Sequence, residues 1–210
     1  MHWFSAALAA GTITFAATNI DDIFILMLLF SQVNKGFRRW HIVAGQYLGF
    51  TALVLISLLG YVGGLIIPRA WIGLLGIVPI LLGVRQWLNR AKEEEKESAE
   101  VAEAGKVSKA SSLTAVTSVA AVTLSNGGDN IGIYTPLFAS SDLTRLLPII
   151  CVFYVLLAVW CYAGYIVTRH RMVAHVLTHY GHLIVPFVLI GLGVYIIIES
   201  GTLTLLRLAL

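Results

Sequence analysis

The chain has 210 residues, of which 58% are hydrophobic and only 12% charged, about half the charged share of a soluble domain. A mean hydropathy of +0.86 and several apolar runs of bilayer length exclude a soluble globular protein and leave one membrane-embedded bundle without a separate soluble domain. The net charge of +3 does not point to nucleic acid, because the basic residues lie in short segments between apolar runs, where membrane topology accounts for them.

Six spans are expected, at 4–31, 40–67, 70–89, 113–140, 145–168 and 183–199. No Lys or Arg precedes the first apolar run, so a signal peptide is not expected. That first span carries "TNIDDIF" at 18–24 in its middle. The second span holds Gln46 and Thr51, each either facing a cavity or satisfied within the bundle. After the third span comes a mixed-charge stretch at 90–112 with six glutamates, which reads as a solvated cytoplasmic linker. The fourth span carries "SNGGDNI" at 125–131, followed by Pro136. Cys151 and Cys161 lie on the fifth span, about 15 Å apart along a helix axis. That is too far for a disulfide and not a CxxC spacing, so they read as small apolar residues. His175, His179 and His182 share one helical face just before the sixth span, as either a metal-gathering patch or amphipathic side chains at the interface.

The linker separates two similar halves, 1–89 and 113–210. "IVPILLGV" from 77 recurs as "IVPFVLIGLGV" from 184, which sets Pro79 against Pro186 at an offset of 107. "DDI" at 21–23 falls against "DNI" at 129–131 at an offset of 108. Three spans per half make the halves inverted, an architecture that places a transport site at the midplane between repeats. Eleven Lys and Arg fall on one side and three on the other, so the richer side, with the linker, is cytoplasmic and both termini lie outside.

Of eleven acids, six lie in the linker, Asp142 in a loop and Glu199 at a span end. Asp21, Asp22 and Asp129 remain at membrane depth, where a charged residue costs about 2.5–3.5 kcal/mol on insertion scales. No Lys or Arg is expected at that depth to pair with them. Either they are protonated and hydrogen-bonded structurally, or they face a polar cavity and bind a cation. The neighbours favour a cation. Thr18, Asn19, Ser125, Asn126 and Asn130 add hydroxyl and amide oxygens, and Gly127, Gly128 and Pro136 weaken the helix around Asp129. Carbonyls freed at a half-helix end are further cation ligands.

"ATNIDDIFIL" at 17–26, "LSNGGDNIGIYTPLF" at 124–138 and "IVPFVLIGLGVYI" at 184–196 resemble the cadmium-resistance transporters, a family within the lysine-exporter superfamily of small membrane exporters. The resemblance spans the chain and departs mainly in the linker. It implies efflux of cadmium, with zinc as a second substrate, across a bacterial cytoplasmic membrane. It also implies that Asp21, Asp22, Asp129, Asn19, Asn126 and Asn130 form the site. An oxygen donor set suits harder metals such as manganese at least as well.

The expectation is thus an all-α membrane protein of six transmembrane helices in two inverted three-helix repeats, exporting divalent metal in exchange for protons. The metal is cargo, and no resident cofactor is expected. No GxxxxGK[ST] loop, HExxH, CxxC or nucleophile–base pair marks an enzyme or an ATP-driven pump. An exporter of a cationic organic solute such as a basic amino acid would use the same aspartates as counter-charges. A homo-oligomer is compatible with the sequence.

Overall fold

The computed structural model describes residues 2–20, 22–85, 87–88, 112–168, 186–200 and 202, and all secondary structure among them is helical. Helix α1 covers His2–Asn19 and α2 Asp22–Ser31, with a bend of 57° between them. Helix α3 runs over Arg39–Ile66, and the four-residue α4 over Arg69–Ile72. Helix α5, Gly73–Arg85, opens with a 3₁₀ turn at Gly73–Gly76. In the second half, α6 is Ser112–Asn126, α7 Gly128–Ser140, α8 Leu143–Val167 and α9 Pro186–Glu199.

Local chemistry sets these bounds. Helix α3 contains no proline and stops where Ile67 turns extended (φ −88°, ψ 134°) ahead of Pro68, since a residue before proline avoids the helical region. Helix α8 starts at Asp142, whose carboxylate accepts from the Arg145 backbone N–H at 2.9 Å, an N-cap that satisfies an orphan donor. The first broken helix gives way at a run of Asn and Asp, residues that compete with the backbone for hydrogen bonds. The second gives way at Gly127. Pro136 leaves α7 one bond short, yet the helix continues to Ser140.

Helices α3 and α8 are each long and apolar enough to cross a membrane, and the bent pair α1–α2 makes a third candidate span. Helices α5 and α9 are apolar but shorter than the roughly 20 residues that a straight span needs. The distribution of polarity supports a lipid setting. Leu55, Leu59, Leu65 and Ile66 on α3 and Leu147, Val155 and Tyr162 on α8 are exposed, while Thr14, Thr18, Asn19, Asp22, Gln46, Thr123 and Asn130 are buried. Apolar outside and polar inside is the pattern of a bundle solvated by lipid.

Packing pairs each broken helix with the long helix of the other half. Helix α3 lies along α6 and α7, and α8 lies along α1 and α2. Along α3, Gly45 abuts Val119, Gly49 abuts Thr123, Gly60 abuts Thr135 and Gly64 abuts Ala139. The sequence difference stays at 74–75 throughout, so α3 runs parallel to both α6 and α7 across the Gly127 break. Small residues permit this: a Cβ on Gly49 would lie 2.7 Å from the Ala120 carbonyl oxygen, and close backbone approach is the main source of helix association in lipid. Helix α8 likewise runs parallel to α1–α2, with Ile149 beside Gly11 and Gly164 beside Leu26. Helices α5 and α9 pack on each other in opposite directions, through Gly76 against Gly193 and Gly83 against Pro186.

Tyr47 of α3 and Tyr154 of α8 stack at 6.1 Å, and the Tyr47 hydroxyl donates to the Tyr154 carbonyl at 3.2 Å. They are 107 residues apart, as are Pro79 and Pro186. The same offset aligns Thr18-Asn19-x-x-Asp22 with Ser125-Asn126-x-x-Asp129. At this offset Asp22 stands against Asp129, where the register of 108 sets "DDI" against "DNI", and both Asp22 and Asp129 fall in the first turn of the second piece of a broken helix.

Candidate metal centre

The two helix breaks meet in the interior. Asn126, the last residue of α6, donates from Nδ2 to Asp22 Oδ1 at 2.7 Å. Asp22 is 5% exposed, and Asp129 is half-buried, with its Oδ1 accepting from the Asn130 backbone N–H at 2.9 Å. Each carboxylate thus sits at the N-terminus of a half-helix, where the backbone dipole favours negative charge. The sequence reading lacked this compensation for acids at membrane depth.

Thr18 and Asn19 end the first half-helix, and both are buried. The two N–H groups of the Asn19 amide are shared among three acceptors, the Phe15 carbonyl at 2.9 Å, Thr18 Oγ1 at 2.7 Å and the Tyr134 hydroxyl at 2.9 Å. Two amide oxygens remain. Asn19 Oδ1 and Asn130 Oδ1 are buried without a hydrogen-bond partner among the described residues. Such acceptors are uncommon in native interiors and call for a ligand or water.

Several expected parts are placed elsewhere or differ. Ser125 is exposed at the surface. The Asn19 carbonyl, at the end of α1, accepts from the Trp160 indole N–H. Gln46 accepts from Thr123 Oγ1 at 2.7 Å, and Thr51 is held between the Tyr47 carbonyl and the Tyr154 hydroxyl, so both are satisfied within the bundle. Asp21, the three histidines His175, His179 and His182, and the linker up to Ser111 lie outside the described residues. Among the described residues, no three His, Cys, Asp or Glu side chains are placed to hold a metal. The polar side chains at and beside the two breaks are of mixed kinds: carboxylate, amide and hydroxyl.

Tyr134 and Trp160 are site residues that motif reading missed. Tyr134 of α7 is fully buried and lies within electrostatic reach of both Asp22 and Asp129. Its ring packs on Phe50, Phe138 and Phe153, and Phe15 packs edge-on to Trp160 at 5.3 Å. An apolar aromatic wall therefore backs the polar network and lowers the local dielectric, which strengthens any charge held there. Tyr134 follows Asn130 by four residues and so shares its helix face, a signal present in the sequence.

Helices with apolar surfaces around two broken helices, whose breaks bring acid and amide groups together, define a polytopic membrane protein with a polar core. The family model described as "Cadmium resistance transporter" matches residues 15–208, and the chain belongs to that family. Neither the curated proteins nor the solved structures contain a match.

Proposed function

We propose that the protein exports cadmium, with zinc as a second substrate, from a bacterial cytoplasm in exchange for protons, through a site formed at the two helix breaks. The observation that carries this reading is the Asn126–Asp22 hydrogen bond, which ties the break in one half to the break in the other. Asp22, Asp129, Asn19, Asn126 and Asn130 would supply the oxygens around the cation and Asp21 a further one, while Thr18 would hold the Asn19 amide in place. Ser125 would act only after a movement that brings it inward.

Two inverted repeats of three crossings each, six in all, account for the packing. Parallel α3 and α6–α7, parallel α1–α2 and α8, and antiparallel α5 and α9 are the relations that such repeats require. Alternating access then follows from rocking one half against the other about the shared site. The surplus of Lys and Arg favours a cytoplasmic side for the linker.

Uptake of a metal panel into proteoliposomes tests the function. Cadmium should be carried, zinc should compete with it, and lysine should not. Manganese belongs in the panel because the donors are hard oxygens. Transport of lysine, or of manganese without cadmium, would overturn the reading.

A further inference from the structure

The network around Asn19 can be oriented hydrogen by hydrogen. Thr18 Oγ1 lies 3.1 Å from the Thr14 carbonyl and 3.3 Å from the Phe15 carbonyl, which can only accept, so the Thr18 proton is spent on them. In its 2.8 Å contact with Tyr134, Thr18 must therefore accept and Tyr134 donate. The Tyr134 oxygen then accepts from Asn19 Nδ2 at 2.9 Å. That nitrogen also faces the Phe15 carbonyl at 2.9 Å. Turning the amide over would set oxygen against carbonyl oxygen, so its orientation is fixed. All hydrogens of the network are used. What remains, among the described residues, is one unmet acceptor, Asn19 Oδ1, on a side chain 1% exposed.

We propose that Tyr134 is a positioning residue for the cation: its hydroxyl locks the Asn19 amide so that Oδ1 is presented as a direct ligand to the dehydrated metal ion. The inference rests on the cation-transport reading above. A purely structural alternative would have the hydroxyl tie α7 to α1 with no consequence for metal. The two differ in what they couple. A positioning role acts through Asn19, whereas a structural tie acts regardless of it. An orienting partner of a metal ligand typically contributes about 10–100-fold in affinity, which sets the size of effect to look for.

The test uses full-length protein, cadmium uptake into proteoliposomes and calorimetric cadmium binding to the same preparations. Tyr134→Phe keeps the ring against Phe50, Phe138 and Phe153 and removes only the hydroxyl. It should raise KM and Kd for cadmium about tenfold or more and leave maximal flux nearly unchanged. Thr18→Val, which removes the other hydroxyl anchoring the amide, should act in the same direction. In an Asn19→Ala background, Tyr134→Phe should have no further effect on Kd, because the group it positions is gone. An unchanged Kd in Tyr134→Phe, or an equal factor in both backgrounds, would overturn the proposal. If wild-type protein carries no cadmium, the transport reading itself fails. If it does and Tyr134→Phe matches it, only the positioning role fails.

Discussion

Asp22 and Asp129 occupy equivalent places in two half-helices, yet their surroundings differ. Asp22 is nearly closed off and held by Asn126, whereas Asp129 is half-buried and bonded within its own turn. Asp22→Asn can still accept from Asn126, so it removes the charge and keeps the bond. Both Asp22→Asn and Asp129→Asn should insert normally and lose at least about a hundredfold in kcat/KM for cadmium, the upper end of what second-shell changes alone produce. Membrane-fraction immunoblots and initial uptake rates check the two halves of that statement. Aligning Asp22 with Asn130 would make Asp22→Asn the milder variant, and finding it so would favour the register of 108. Normal flux in both variants would make the aspartates structural. At this scale the motif acids and amides were legible, because charge at membrane depth has few benign explanations. Tyr134 was legible only as a neighbour of Asn130 on one helix face, because an aromatic residue in an apolar helix reads as core and its partners lie 115 and 116 residues away.

The elements were legible as apolar length and less so as continuity. Hydropathy reports which residues sit in lipid and ignores a bend of 57°, so 4–31 read as one span where the chain makes two helices. The glycine pair at 127–128 was expected to weaken the helix, and its two members turn out to differ. Neither needs positive φ. A Cβ on Gly127 would run into the Leu53 side chain of α3, whereas one on Gly128 meets nothing within 4 Å among the described residues. Gly127→Ala should therefore destabilise by about 1–3 kcal/mol through overpacking, and Leu53→Ala should cost less in that background than in the wild type. Gly128→Ala should be neutral or stabilising by about 0.4–1 kcal/mol, through lower unfolded-chain entropy. Thermal melts in detergent micelles distinguish them, and equal losses in the two variants would contradict the packing at Gly127. No sequence pattern could assign these roles, since the collision is with a residue on the other half's long helix.

On the proposed reading, the whole molecule carries a divalent charge past a site shared by two broken helices. When the cation leaves, ionised carboxylates in a low-dielectric interior lose their counter-charge, and proton entry is the simplest compensation that needs no further residue. Proton and metal then compete for the same oxygens, and linkage makes the competition reciprocal: each weakens the other's binding by the same factor. Apparent cadmium affinity should thus rise with pH, and cadmium added to purified protein in weak buffer should release protons. In proteoliposomes, cadmium entering the lumen should carry protons out and leave the lumen alkaline to a trapped pH dye. A lumen acidic relative to the bath should speed uptake, and a protonophore should abolish that gain. Voltage then reports stoichiometry, because each net charge moved costs or gains about 2.3 kcal/mol per 100 mV. Two protons per cadmium make the cycle electroneutral and the flux insensitive to an imposed potential. One proton leaves a net positive charge moving with the metal, so a negative lumen accelerates uptake. Binding that ignores pH, together with cadmium flux that moves no protons, would rule out antiport and leave a uniporter in its place.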